Sequence, residues 1–155
     1  MADEIEKKFL LHYLPTTLMT DGIKIAQGYM VNQLNMIVRV RLSGENAFLT
    51  IKGETVNASR KEYEYSIPYQ DACQMLDLFC KKPFVEKIRY HIDHAGFEWV
   101  VDQFSGDNTG LIVAEIELDH IDQIFEKPDW IGKEVTHDPR YYNSNLIKNP
   151  YSTWG

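Results

Sequence analysis

The chain has 155 residues, of which 44% are hydrophobic and 25% charged, the composition of one folded domain rather than of a disordered segment. Its 16 Lys+Arg against 23 Asp+Glu give a formal charge of −7, the wrong sign for a protein whose main partner is a nucleic acid. No apolar run nears the ~20 residues of a membrane span, and the acidic start Met-Ala-Asp-Glu-Ile-Glu does not read as a secretory leader.

Period-2 alternation dominates, and it predicts eight strands in chain order. The first, 3–12, places Glu4, Glu6 and Lys8 on one face, and the second, 24–31, carries Tyr29. The third, 36–43, presents Arg39 and Arg41 together, and the fourth, 47–53, pairs Thr50 with Lys52. The fifth, 60–67, aligns Arg60, Glu62 and Glu64. A helix follows, opened by Pro68, with Ala72, Met75, Leu76 and Phe79 at helical spacing, Lys81-Lys82 near its end and Pro83 after it. The sixth strand, 86–93, bears Lys87 and Arg89; the seventh, 96–104, bears Asp102; the eighth, 111–119, bears Glu115 and Glu117. Turn residues such as Ser43-Gly44-Glu45-Asn46 and His94-Ala95-Gly96 join successive strands too closely for parallel crossovers. Beyond 122, short helices are expected at 122–125, 130–134 and 138–147, with Trp130 anchoring the segment.

The expected fold is mainly β (α+β): one domain over 1–155, an eight-stranded antiparallel closed β-barrel with a few flanking helices. Cys73 and Cys80 are expected in the core, about 10 Å apart on the helix and too distant for a disulfide. A reducing cytoplasm is the expected compartment.

Alternating charge on an antiparallel sheet is what one wetted face produces. Here the charged faces are nearly pure Arg, Lys, Glu and Asp, and the signs are segregated by strand: Glu4/Glu6 and Glu115/Glu117 against Arg39/Arg41 and Lys87/Arg89. Like charges so placed are costly unless something of opposite sign lies between them. If the sheet closes with these faces inward, Arg and Lys hold phosphate oxygens and the carboxylates hold Mg²⁺ or Mn²⁺, a binding site for a metal polyphosphate. Alternation leaves open which face is inside. His91-Ile92-Asp93-His94 at a hairpin end lacks the further ligands of a transition-metal site, and no Walker A, H-E-x-x-H or G-x-S-x-G motif occurs.

In order along the chain, E-x-E-x-K (Glu4, Glu6, Lys8), R-x-R (Arg39, Arg41), Lys52, R-x-E-x-E (Arg60, Glu62, Glu64), K-x-R (Lys87, Arg89), Asp102 and E-x-E (Glu115, Glu117) closely resemble the CYTH superfamily, the triphosphate tunnel metalloenzymes. Gln27-Gly28-Tyr29 and the stretch from Glu134 to Tyr141 resemble its small bacterial members. The resemblance implies a small-molecule triphosphate as substrate, one or two divalent ions, and metal-dependent hydrolysis of inorganic triphosphate to diphosphate and phosphate. Its alternatives are a thiamine or nucleoside triphosphatase, a class IV-like adenylate cyclase, or a non-catalytic polyphosphate-binding module. The histidine-aromatic pair that class IV cyclases carry before E-x-E-x-K is not found here.

The resemblance, joined to phosphoryl-transfer chemistry, assigns metal to Glu4, Glu6, Asp102, Glu115 and Glu117. It assigns substrate to Lys8, Arg39, Arg41, Lys52, Arg60, Lys87 and Arg89, and puts Lys8, Tyr29, Lys87, Glu62 and Glu64 in the catalytic set. Glu62 and Glu64 are either ligands or orienters of basic residues; Lys8 tempers the acidic cluster; Tyr29 is expected to bond to Lys87. The segment 122–155 is expected to pack against or plug the tunnel. No nucleic acid or membrane partner is expected, and a monomer or homodimer is.

Overall fold

The computed structural model describes residues 3–155. All eight expected strands form, with ends shifted by one or two residues: β1 (Asp3–Leu11), β2 (Ile23–Gln33), β3 (Met36–Ser43), β4 (Asn46–Gly53), β5 (Ser59–Ser66), β6 (Val85–His94), β7 (Phe97–Phe104) and β8 (Ile112–Leu118). They pair in the order β5-β4-β3-β2-β6-β7-β8-β1, every neighbour antiparallel, and β1 returns to β5. The expected ring is therefore closed. Its seam is short: Asp3↔Lys61, Glu4↔Arg60 and Ile5↔Ser59.

Closure explains the residues expected to be helical at 130–134. Once β5 leaves β1, the far half of that edge needs other partners for its backbone groups. A short strand, β9 (Ile131–Glu134), takes the place, with Phe9 opposite Glu134 and Leu11 opposite Ile131. No helix forms at 122–125; Phe125 packs instead edge-on to Trp99, with ring centres 5.7 Å apart. The helix expected over 138–147 is a 3₁₀ turn at Pro139–Tyr141 followed by the four-residue α2 (Asn143–Leu146). Trp130 is buried against Trp99, the anchoring role expected of it.

With the ring closed, the pleat sorts the side chains. On β1 the charged set turns inward while Phe9 turns outward into a core of Trp99, Val101, Ala114, Ile116 and Trp130. The helix α1 (Tyr69–Phe79) covers β2 to β4, setting Ala72, Leu76 and Cys80 against Val40 and Ala47. Gly28 permits that approach, because a Cβ there would lie 2.9 Å from both Cys80 Cβ and Leu76 Cδ2. Cys73 is not in the core. It is exposed, since one residue beyond Ala72 is about 100° round the helix from the buried stripe 72-76-80. Lys82 lies past the end of α1 and pairs with Asp77 on the surface.

Inside one end of the ring, Val85, Phe104 and Val113 meet Val135, Tyr141 and Leu146 from the C-terminal segment. Among the described residues no helix is long and apolar enough to cross a membrane.

Candidate active site

The inward charged faces enclose a cavity of about 320 Å³. Every residue expected to act there lines it except Asp102, which lies behind the wall. Register decides who faces whom. Around the ring, Tyr29 stands opposite Arg39, Arg39 opposite Thr50, and Thr50 opposite Glu64. Across the seam side, Glu6 stands opposite Glu117 and Lys8 opposite Glu115. The sheet thus gathers Arg39, Arg41, Lys87 and Arg89 on one wall and most of the acids on the other, with Lys8, Lys52 and Arg60 set among the acids and Arg89 reaching Glu115 at 3.4 Å.

The basic wall is braced from behind. Asp102, only 1% exposed, accepts from Arg89 Nε and Nη2 at 2.7 and 2.8 Å and from Lys87 Nζ at 2.8 Å. Burial alone would raise the Asp102 carboxyl, but Lys87 and Arg89 outweigh it and hold it at about 2. With its oxygens spent on two cations, Asp102 stands apart from the other acids expected at metal. Burial pushes the Lys87 ammonium down to about 7, with Arg89 and Arg41 adding to the effect and Asp102 opposing it. Arg89 keeps its charge at any ordinary pH, so Asp102 is ionised whichever form Lys87 takes.

Arg41 is shifted downward by burial and then by Arg39 and Arg89. A guanidinium does not give up its proton here; the shift registers burial first and crowded positive charge second. Arg39 carries a buried Nε with no hydrogen-bond partner while its Nη2 reaches Thr50 Oγ1 at 3.2 Å. Crowded cations with an unmatched donor are a site built for an anion.

The acidic wall is held by lysines. Lys8 Nζ sits 2.7 Å from Glu115 and 3.5 Å from Glu6; Lys52 Nζ sits 3.1 Å from Glu4 and 3.2 Å from Glu62. Burial would lower Lys8, but Glu115 and Glu6 outweigh it and raise it above its ordinary value. Glu6 is pushed up to about 8 by burial and by Glu115, so one proton is retained in this cluster. Glu115 goes well below its ordinary value because Lys8, a hydrogen bond from Glu6 and Arg89 overcome burial.

These donors are all carboxylate oxygens, the set that suits a hard divalent cation. Among the described residues no three acids, histidines or cysteines already close on one point, and Lys8 and Lys52 each sit within 3.5 Å of two of the acids. The donor set fits such an ion, provided the lysines turn aside.

Some expected residues have other partners than expected, and some contributors lie outside the charged motifs. Tyr29 does line the cavity, yet its oxygen accepts from Gln27 Nε2 at 2.7 Å, and Lys87 bonds to Asn143 Oδ1 at 2.8 Å. Arg60 faces the cavity but spends Nε and Nη2 on the Gly53 carbonyl, at 3.0 and 2.8 Å, tying β4 to β5. Tyr142, Asn143 and Ser144 reach in from the C-terminal segment, where no alternation pattern marked them. Gln27 is marked in the sequence by the Gln27-Gly28-Tyr29 resemblance and by its position two residues from Tyr29, but is assigned no role there. His91 and His94 find separate acids, Glu98 and Glu126, and form no joint site.

A family profile described as CYTH domain matches residues 2–147. A protein of Acetivibrio thermocellus named inorganic triphosphatase is 47% identical over 154 residues, covering 99% of each chain. One of Nitrosomonas europaea with the same name is 36% identical over 149 residues, covering 92% of this chain and 95% of that one. A crystal structure described as an inorganic triphosphatase superposes with a TM-score of 0.63 at 33% identity, over 92% of this chain and 96% of that one. A putative adenylyl cyclase from Hippeastrum, described as having a dominant triphosphatase activity, shares the fold at 10% identity, over 77% of this chain and 80% of that one, with a TM-score of 0.54.

Proposed function

This chain belongs to the CYTH-domain family, and on that premise we propose that its tunnel hydrolyses inorganic triphosphate to diphosphate and phosphate with a divalent cation, Mg²⁺ or Mn²⁺. The observation that carries the reading is the cavity's lining: crowded Arg39, Arg41, Lys87 and Arg89 face a wall of carboxylates across about 320 Å³. Two relatives named inorganic triphosphatase, matching nearly end to end, support it.

Arg39, Arg41 and Arg89, with Lys87, bind the phosphate oxygens and fix the chain of phosphates along the tunnel. As a bridging P–O bond breaks and water adds to the terminal phosphorus, negative charge builds on the leaving diphosphate. Cations already in place stabilise that charge without reorganising. Tyr29 donates its hydroxyl hydrogen to the same oxygens. Lys8 and Lys52 are paired with carboxylates and would bind phosphate oxygens once those carboxylates were engaged by a cation. Glu4, Glu6, Glu115 and Glu117 would hold the ion, which when bound neutralises phosphate charge and acidifies a coordinated water. Glu62 orients Lys52, and Glu64 lines the cavity beside it.

The test is a phosphate-release panel over tripolyphosphate, ATP and thiamine triphosphate with Mg²⁺ or Mn²⁺, with cyclic AMP assayed in parallel. Tripolyphosphate is expected to be turned over best. Abundant cyclic AMP with little phosphate release would replace this reading with a cyclase.

A further inference from the structure

One donor-only cation, Arg41, fixes the orientation of two amides in series, Gln27 behind the cavity wall and Asn143 in its lining. Arg41 Nε donates to Gln27 Oε1 at 2.9 Å, and arginine offers no acceptor, so Gln27 must turn its nitrogen the other way. That nitrogen donates to Tyr29 Oη at 2.7 Å and to Asn143 Oδ1 at 3.3 Å. The Gln27 nitrogen, having no acceptor, thereby turns the Asn143 oxygen inward, and Lys87 Nζ donates to that same oxygen at 2.8 Å. Gln27 is fully buried, and Asn143 is carried on a segment pinned by Asn32 Nδ2 to the Ser144 carbonyl at 2.8 Å.

We infer that Gln27 and Asn143 are a neutral positioning pair, holding Arg41, Tyr29 and Lys87 toward the phosphates without cancelling their charge. The inference rests on the triphosphatase reading for its ligand and adds residues that the charged motifs leave out. An ammonium has three N–H donors; Asp102 and Asn143 take two from Lys87, and the third is left for the substrate. Tyr29 accepts from Gln27, so its own hydrogen is free to donate. A carboxylate at either amide position would orient the cations equally well but would weaken their pull on a polyanion. Asp102 does that orienting from behind the wall with a charge; Gln27 does it from behind the wall, and Asn143 in the lining, at no cost in charge.

The near-isosteric Asn143→Asp separates positioning from docking of the C-terminal segment. It retains the acceptor oxygen and gains an ion pair with Lys87, so thermal stability is expected to hold or rise. Tripolyphosphate binding, followed by calorimetry without divalent metal, is expected to weaken about tenfold or more. Asn143→Ala is expected to weaken the same binding about tenfold, and by less than about twofold when Lys87 is already methionine. Wild-type affinity in Asn143→Asp, or an alanine effect undiminished in the Lys87→Met background, would overturn the inference. A wild-type protein that binds tripolyphosphate but releases no phosphate would sink the triphosphatase reading alone, and the binding comparison would still decide the amide pair.

Discussion

The two walls of the tunnel solve opposite problems with different kinds of partner. The basic wall is braced by groups that remain when substrate arrives: Asp102 behind Arg89 and Lys87, Thr50 beside Arg39, and the Gln27–Asn143 amides beside Arg41 and Lys87. The acidic wall is held by Lys8 and Lys52, which occupy the space between carboxylates that a cation would need. One wall is organised before its ligand binds; the other is kept from self-repulsion by stand-ins. The contrast follows from the ligands. A polyanion is recognised by many fixed donors, whereas a small divalent ion requires several like charges to converge, and these cannot be left unmatched in its absence.

Removing a member of the braced wall is expected to have the largest effect. Arg39→Ala or Arg41→Ala should lower kcat/KM for tripolyphosphate roughly 10²–10³-fold, because the group meets substrate and transition state alike. Steady-state kinetics should show both KM and kcat moving. Near-normal values in both variants would mean that the basic wall is not where the phosphates bind.

A smaller and different effect is expected on the other wall. Glu115→Gln or Glu117→Gln should raise the Mg²⁺ or Mn²⁺ concentration for half-maximal rate about 10–100-fold, with part of the rate recovered at high metal. If the arginine variants shift the metal requirement as much as the glutamine variants do, the division between the walls is lost.

The smallest effect is read from stability in EDTA. Folding takes Glu6 from its ordinary 4.5 to about 8, so between those values the native chain holds a proton that the unfolded chain has lost. Stability contributed by that proton is present below about 4.5 and is lost as pH rises toward 8. Glu117 is shifted in the same direction, first by burial and then by Glu4 and Glu62. Lys87, depressed from 10.5 to about 7, acts in the opposite sense, but only above that lower value. The clean window is therefore pH 4.5 to 7, where Tm of the metal-free protein should fall with rising pH and Mg²⁺ should flatten the slope. A Tm that climbs through this window, with or without metal, would mean that the acidic wall is not strained.

Much of this was legible in the chain because strand periodicity is local. Alternation at Glu4-Glu6-Lys8, Arg39-Arg41 and Glu115-Glu117 marks strands and common faces without knowledge of any neighbour, and the short turns between them demand antiparallel pairing. Trp130 was recognisable as an anchor from size and polarity alone. The segment that holds Asn143 bears no such periodicity. Its residues matter for the partners they reach, and those partners lie far away in the chain.

Tertiary structure alone decided the rest, for physical reasons visible at particular residues. Which face is inside depends on a seam between residues 3–5 and 59–61, a pairing distant in sequence that no alternation can signal. The strand at 131–134 exists because closing the seam leaves half of β1's edge without partners. Tyr29 bonds to Gln27 and not to Lys87 because the closed ring sets the Gln27 amide nitrogen 2.7 Å from its hydroxyl, while Lys87 meets Asp102 and Asn143. Asp102 became a brace because register sets it directly opposite Arg89, where that arginine and the buried Lys87 claim its oxygens. The amino-acid order determined which residues are charged and that they share faces; the closed ring determined which charges meet, and so what each of them can do.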